Sequence, residues 1–369
     1  MQGRLRDYFV CANTADGFIN YFPDALLDLD RIYILKGGPG CGKSTLMRTI
    51  ADHFAVRDED VDRIFCSSDP DSLDGIILKN KKVAIVDGTA PHIIEPTAPG
   101  ALEEYVNLGT AWDKRELTQH KEEILSLNRE IKNRYQTLYQ TLGEAKEIHQ
   151  RREKIYFEHA DFGALNDAAA VLIKTIFHKE PPAQAPGKTC HRFFGALTPA
   201  GAIHHMEALT DFCQVRYFLK GSPGNGKSTL LKKLVTAATE RGVAAEVYHC
   251  SFDPQSLDMV ILPALSLAVF DATAPHEVYP SRGNDILFDL FETGIRAGCQ
   301  EENFETLSLL SRSYQEKITS ARTILGEARE LHDRLEAIYK PAIDFKKIDR
   351  ITDVLIRKIA AEPYGVFLL

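Results

Sequence analysis

The chain repeats itself. Slid along itself by 184 positions, it places LKGGPGCGKSTL (from Leu35) on LKGSPGNGKSTL (from Leu219), CSSDPDSLD (from Cys66) on CSFDPQSLD (from Cys250), and DGTAPH (from Asp87) on DATAPH (from Asp271). One residue is then lost, and LGEAKEIHQRREKIY from Leu142 meets LGEARELHDRLEAIY from Leu325 at an offset of 183. A unit of this size present only twice reads as a tandem domain duplication rather than a solenoid. Whatever one unit folds into, the other repeats. The boundaries expected are 1–180 and 181–369, with HKEPPAQAPGK, residues 178–188, as the Pro-rich linker.

Each unit opens with the same local pattern. RIYILKG and VRYFLKG are short apolar runs that pass through glycines into KSTLMRTIADHF and KSTLLKKLVTAA, which have helical spacing. DRIFC and EVYHC suggest a second strand, and VAIVD and LAVFD a third. Their unbroken apolar character fits parallel sheets covered on both faces, hence an α/β class for both domains. Long amphipathic helices are expected to follow each sheet, over about 111–178 and 295–360. In the first, Ile124, Leu127, Ile131, Tyr135, Leu138, Leu142, Ala145 and Ile148 recur at steps of three, four and seven. In the second, Leu307, Leu310, Tyr314, Ile318, Ala321, Leu325, Ala328 and Leu331 do so, and Pro341 ends the stripe. Such a stripe either projects as an arm of about 60 Å or packs on its own domain or its twin.

The glycine phrases carry chemistry. Gly37, Gly42, Lys43 and Ser44, and again Gly221, Gly226, Lys227 and Ser228, satisfy G-x-x-x-x-G-K-[ST]. Glycines let successive backbone N–H groups turn inward, and the positive end of the following helix adds to the anion nest they form. On these residues the chain resembles the P-loop NTPase superfamily, and as a whole it is similar to an uncharacterised bacterial family of tandem P-loop ATPases or ATP-binding proteins. The resemblance implies two nucleotide sites, the first built from Gly37, Gly38, Pro39, Gly40, Cys41, Gly42, Lys43, Ser44 and Thr45. The second is built from Gly221, Ser222, Pro223, Gly224, Asn225, Gly226, Lys227, Ser228 and Thr229. It also implies Mg²⁺ held by Ser44 and Asp87 in one site and by Ser228 and Asp271 in the other.

Departures from that pattern narrow the reading. Gly88 and Ala272 stand where many P-loop ATPases carry a catalytic Glu, and no N-K-x-D guanine motif occurs, so ATP is expected over GTP. His92 and His276, each five residues after the strand-end Asp, are candidates to act on the γ-phosphate region in place of the Glu, or to hold the turn. Asp69 and Asp253, in S-x-D-P-x-S-L-D, are candidate carboxylates for an acceptor hydroxyl, or caps of a turn and helix start. Arg282 has Ala98 as its counterpart and is a candidate γ-phosphate cation of the second unit alone, or a solvated surface Arg. Trp112, the single tryptophan, is placed where the first helical stripe begins. Three functions stay open: a two-site Mg-dependent ATPase coupled to helix or domain motion, a small-molecule kinase, and a nucleotide-dependent scaffold whose helices bind an unknown partner.

Composition sets outer limits. The chain is 44% hydrophobic and 26% charged, as globular proteins are, with no run long enough to span a bilayer and no signal-like N-terminus, so the cytoplasm is the expected address. Seven cysteines without a C-x-x-C pair read as reduced thiols, and a net charge of −8 disfavours nucleic acid as a partner.

Overall fold

The computed structural model describes residues 3–181 and 183–361; the ends of both expected domains, and Pro182 within the expected linker, lie outside the described residues. The chain is mixed α/β, with two six-stranded sheets and long helices. The first half contains β1 (Leu5–Tyr8), a hairpin of β2 (Cys11–Thr14) and β3 (Gly17–Asn20), β4 (Arg31–Lys36), helix α1 (Lys43–Ala55), β5 (Val61–Phe65), β6 (Leu73–Leu78), β7 (Val83–Asp87) and β8 (Glu103–Asn107). Beyond two short helical turns come two long helices, α2 (Lys121–Glu158) and α3 (Phe162–Ile176). The second half repeats the series: β9 (Thr189–Arg192), β10 (Gly195–Thr198), β11 (Gly201–His204), β12 (Val215–Lys220), α4 (Lys227–Glu240), β13 (Ala245–His249), β14 (Leu257–Leu262), β15 (Leu267–Asp271) and β16 (Asp285–Asp289). It ends with α5 (Phe304–Tyr339) and α6 (Phe345–Ala361).

Both sheets are mixed, which corrects the expectation of parallel sheets. The orders are β1-β5-β6-β7-β4-β8 and, in mirror, β9-β13-β14-β15-β12-β16. β6 runs antiparallel to β5 and β7, and β14 to β13 and β15; the remaining pairs are parallel. The reason is chain length: residues 66–72 and 79–82 are all that join β5 to β6 and β6 to β7, too few for a crossover helix. No helix starts at D-P-x-S-L-D; the turn delivers the chain into β6, whose six residues are all buried. Alternate residues of β4 face two cores: Ile32 and Ile34 pack in one, Tyr33 and Leu35 in the other.

The halves are interlocked. One central core draws on both sheets, with Ile34, Ile64, Ile77 and Val86 joined to Phe218, Tyr248, Met259 and Phe270. Phe9 and Phe193, related by the offset of the repeat, exchange backbone hydrogen bonds of 2.9 and 2.8 Å and so mark a pseudo-two-fold axis. The long helices pack against each other rather than project: Leu138 and Leu142 meet Ala321 and Leu325 at their middle, and Arg134–Glu327 and Lys317–Glu144 pair along an antiparallel register.

The terminal helices then cross over. Ile348, Leu355 and Ile359 of α6 complete the core around α1 of the first half, while Leu165, Ala169 and Leu172 of α3 complete the core around α4 of the second. Matching backbone bonds fasten both crossings, Asp113 N–H to Ala342 (2.7 Å) and Asp344 N–H to Ala111 (2.9 Å), and Asp161 N–H to Gly294 (2.8 Å) and Arg296 N–H to His159 (3.0 Å). Sequence halves and packed bodies therefore differ by one exchanged helix on each side.

Candidate functional site

At the carboxyl end of β4 the chain turns through glycines into α1. Gly40 (φ 65°) and Gly42 (φ 83°, the residue capping α1) lie in the left-handed region that favours glycine. Lys43, first in α1, folds back so that Nζ donates to the carbonyls of Gly37 (3.0 Å) and Gly38 (3.1 Å) and stands 3.4 Å from Asp87 Oδ2, at the end of the neighbouring strand β7. Ser44 Oγ accepts the N–H of Leu73 at 3.0 Å, which ties α1 to the start of β6. Asp87 Oδ1 is held by the Thr89 N–H (2.9 Å) and hydroxyl (2.6 Å).

The second loop repeats this down to single bonds. Gly224 (φ 79°) and Gly226 (φ 88°) make the turn. Lys227 Nζ donates to Gly221 (2.6 Å) and Ser222 (2.9 Å) and lies 3.6 Å from Asp271 Oδ2. Ser228 Oγ accepts from Leu257 N–H at 3.0 Å, and Asp271 is braced by Thr273. An ammonium, a hydroxyl and a carboxylate thus converge twice at the ends of adjacent parallel strands, where ligands of open sheets collect.

Two further carboxylates belong to this region, and the sequence reading passed over them. Asp74 and Asp258, the last residues of the two S-x-D-P-x-S-L-D phrases, are buried on β6 and β14. Burial and then the nearby Asp271 push the Asp258 carboxyl up to about 7. Burial also raises Asp74, with Asp87 adding to the shift. The thiols of Cys66 and Cys250, themselves pushed well up by burial, hydrogen-bond to these acids. A polar residue recurring at the same place in an otherwise apolar strand was the signal available.

His92 and His276 face these acids. His92 Nε2 is 3.7 Å from Asp74 Oδ1, with its ring near Phe18 and Phe22. His276 Nε2 is 4.0 Å from Asp258 Oδ2, its ring edge-on to Phe194 and His204, and burial followed by His204 lowers it to about 4. Asp69 and Asp253 shape turns. Asp69 Oδ2 accepts the Ser72 hydroxyl (2.6 Å) and Asp253 Oδ2 that of Ser256 (3.2 Å). Each is also paired with a cation from the other half, Asp69 with Arg329 and Asp253 with Lys146 (2.9 Å). Arg282 is brought to neither loop: it binds Asp211 (2.8 Å) beside the start of β16, at the opposite end of the sheet from the second loop.

The exchanged elements line both loops. A Cβ added at Gly40 would stand 3.3 Å from Glu336 Cβ, and one at Gly42 3.9 Å from Phe345, both residues of the second half. At Gly224 it would meet the Glu153 carbonyl at 2.6 Å, and at Gly226 Leu165 at 4.0 Å, both from the first half. Trp112 lies at the first loop, where Gly38 leaves room for it and for Tyr339. A cavity of about 310 Å³ opens beside Gly42, Thr45 and Thr49, closed on its far side by Phe345, Asp349 and Asp353.

A family model described as Nephrocystin 3, N-terminal, matches residues 25–82, the stretch that carries β4, the first Gly-rich loop, α1, β5 and β6. No curated protein and no solved structure matches the chain. Among the described residues no helix is long and apolar enough to cross a membrane, and no group of three or more His, Cys, Asp or Glu side chains is arranged to hold a metal unaided.

Proposed function

We propose that the protein is a tandem P-loop ATPase that binds Mg-ATP at both Gly-rich loops and hydrolyses it. One observation carries the reading: in each half a loop lysine, a helix-start serine and a strand-end aspartate converge on one glycine-walled nest, with Nζ 3.4 and 3.6 Å from the carboxylates. The residues fit the ligand. Left-handed glycines open the backbone donors to an anion. Two oxygens per site, Ser44 with Asp87 and Ser228 with Asp271, suit a cation such as Mg²⁺ that completes its shell from phosphate and water.

Bound Mg²⁺ supplies charge neutralisation at the phosphates. The chain supplies the rest. Lys43 and Lys227 exchange their carbonyl partners for phosphate oxygens, and Asp74 and Asp258 stand as the buried bases that Gly88 and Ala272 cannot be. His92 and His276, whose Nε2 atoms stand 3.7 and 4.0 Å from these acids, are the second pair of groups that can act in the γ-phosphate region.

The test is nucleotide binding and phosphate release from Mg-ATP, with and without small acceptors. Lys43→Ala and Lys227→Ala are each expected to remove about half of the bound nucleotide, and the double variant nearly all. Full-stoichiometry binding by the double variant sinks the assignment. Release that needs an acceptor makes the protein a kinase, and binding without release makes it a nucleotide-dependent scaffold.

A further inference from the structure

The phrase E-A-[KR]-E-[IL]-H-x-R-x-E occurs once in α2 and once in α5, and the function proposed above leaves it unused. Its residues reach across to the other half, although Lys146 also pairs with Asp16 (2.7 Å) and Arg329 with Asp333 (2.8 Å) of their own halves. On α5, Arg329 is ion-paired with Asp69 of the first half and Glu336 packs at Gly40 of the first loop. Between them His332 is close enough to feel the charge of Lys43. Positions 329, 332 and 336 follow helical steps of three and four, so one face of α5 runs along the first loop. On α2 the equivalent face serves the second loop: Lys146 pairs with Asp253 and the Glu153 carbonyl abuts Gly224.

We propose that Arg329 and Lys146 are the trans cations of the two sites, each leaving the two carboxylates that hold it, Asp69 and Asp333 for Arg329 and Asp253 and Asp16 for Lys146, to engage the terminal phosphate bound on the opposite half's loop. The inference rests on the ATP reading of those loops. Position supports it. Asp69 opens the turn whose end, Leu73, donates its N–H to Ser44, and Asp253 stands in the same relation to Leu257 and Ser228. A cation held by that turn rests beside the loop's serine, already oriented and incompletely buried. A triphosphate on the loop offers several anionic oxygens at once, so a bound nucleotide competes for the cation.

Other cations meet fewer of these conditions. Lys340 lies near Gly40 but has Phe157 as its counterpart, so the second site has no equivalent cation there. Arg334 and Arg151 occur in both copies, but five residues beyond Arg329 and Lys146 they turn to another face and are exposed. Arg282 is at the wrong end of its sheet.

Single-site backgrounds test the crossing. In Lys227→Ala, where the first loop alone works, Arg329→Gln is expected to lower kcat by about 10² or more with ADP affinity unchanged. In Lys43→Ala, where the second loop alone works, the same substitution is expected to cost less than about 2-fold, and Lys146→Gln to show the reverse pattern. Arg329→Lys should restore most of the rate, because lysine fills that place in the other half. Should either background silence both loops, the cross is read in the preference for ATP over ADP at the remaining site, which Arg329→Gln should reduce about 10-fold at the first loop only. Equal losses in both backgrounds, a loss on the same side as the mutated helix, or no loss in a variant with wild-type melting overturns the proposal. Failure of the wild type to bind either nucleotide instead sinks the ATP reading itself.

Discussion

At the first loop the buried thiol of Cys41 lies beneath Gly37; at the second, Asn225 fills the same space with an amide that finds no hydrogen-bond partner. Arg329 at one rim answers to Lys146 at the other, Lys340 to Phe157, and Asp349 and Asp353 to Asn166 and Ala170. Beneath these differences the lysine, serine, strand-end aspartate, buried acid and histidine are the same in both, and most of their distances agree within a few tenths of an ångström. The floor of each site is thus fixed by one chemistry. The rim, built from the opposite half, has been free to change, which makes two non-identical sites out of one phrase.

Removing the shared floor should have the largest effect. Asp74→Asn and Asp258→Asn are each expected to lower turnover at their own loop by about 10² while nucleotide still binds, because the amide keeps the shape and cannot take a proton. Unchanged single-site rates in both variants would return these acids to a structural role and erase the common floor.

Acid should separate the halves next. Burial lowers His249 to about 4, with the neighbouring His191 contributing, and also depresses His204, His205 and His276, all of the second half. These groups titrate lower folded than unfolded, so the unfolded chain binds more protons between pH 6.5 and 4. The stability that these histidines contribute is therefore complete above pH 6.5 and falls as pH drops toward 4, opposite in sign to the contribution of the raised Asp74 and Asp258 carboxyls. Replacing His249 by Phe, the residue at the equivalent position 65, should remove about 1–2 kcal/mol of that loss in denaturant titrations at pH 7 and pH 5. An identical pH dependence in the variant would show that the histidine contributes nothing to it.

The smallest signal reports on the first loop alone. Trp112 packs by Gly38, so Mg-ATP is expected to alter its emission in the wild type and in Lys227→Ala but not in Lys43→Ala. A response that survives Lys43→Ala and vanishes in Lys227→Ala would reverse the assignment of the two sites.

Much of this was legible because it is local. The duplication, the nest glycines and the strand-end aspartates depend on residues within about a dozen positions of one another. β6 was hidden because LDGIIL carries an acid and a glycine as its second and third residues and follows a turn that equally suits a helix start. The exchanged helices were hidden for a different reason. The stripe of α6 states that one face must be buried, and Ile348 or Leu355 would satisfy it on either half. Only three-dimensional packing decides between them, and the same holds for Asp69, whose partner Arg329 is 260 positions away.

The crossing of α6 has a consequence for how the protein is made. The core around α1 needs Ile348, Leu355 and Ile359, which the ribosome delivers only after the whole second sheet. The first half therefore waits, with the core around α1 incomplete, through synthesis of the entire second half, and contacts closing so long a loop form slowly. The second half meets no such delay, since α3 is already made when α4 emerges. Two copies of one design thus mature in reverse order: the half translated last is the first able to close.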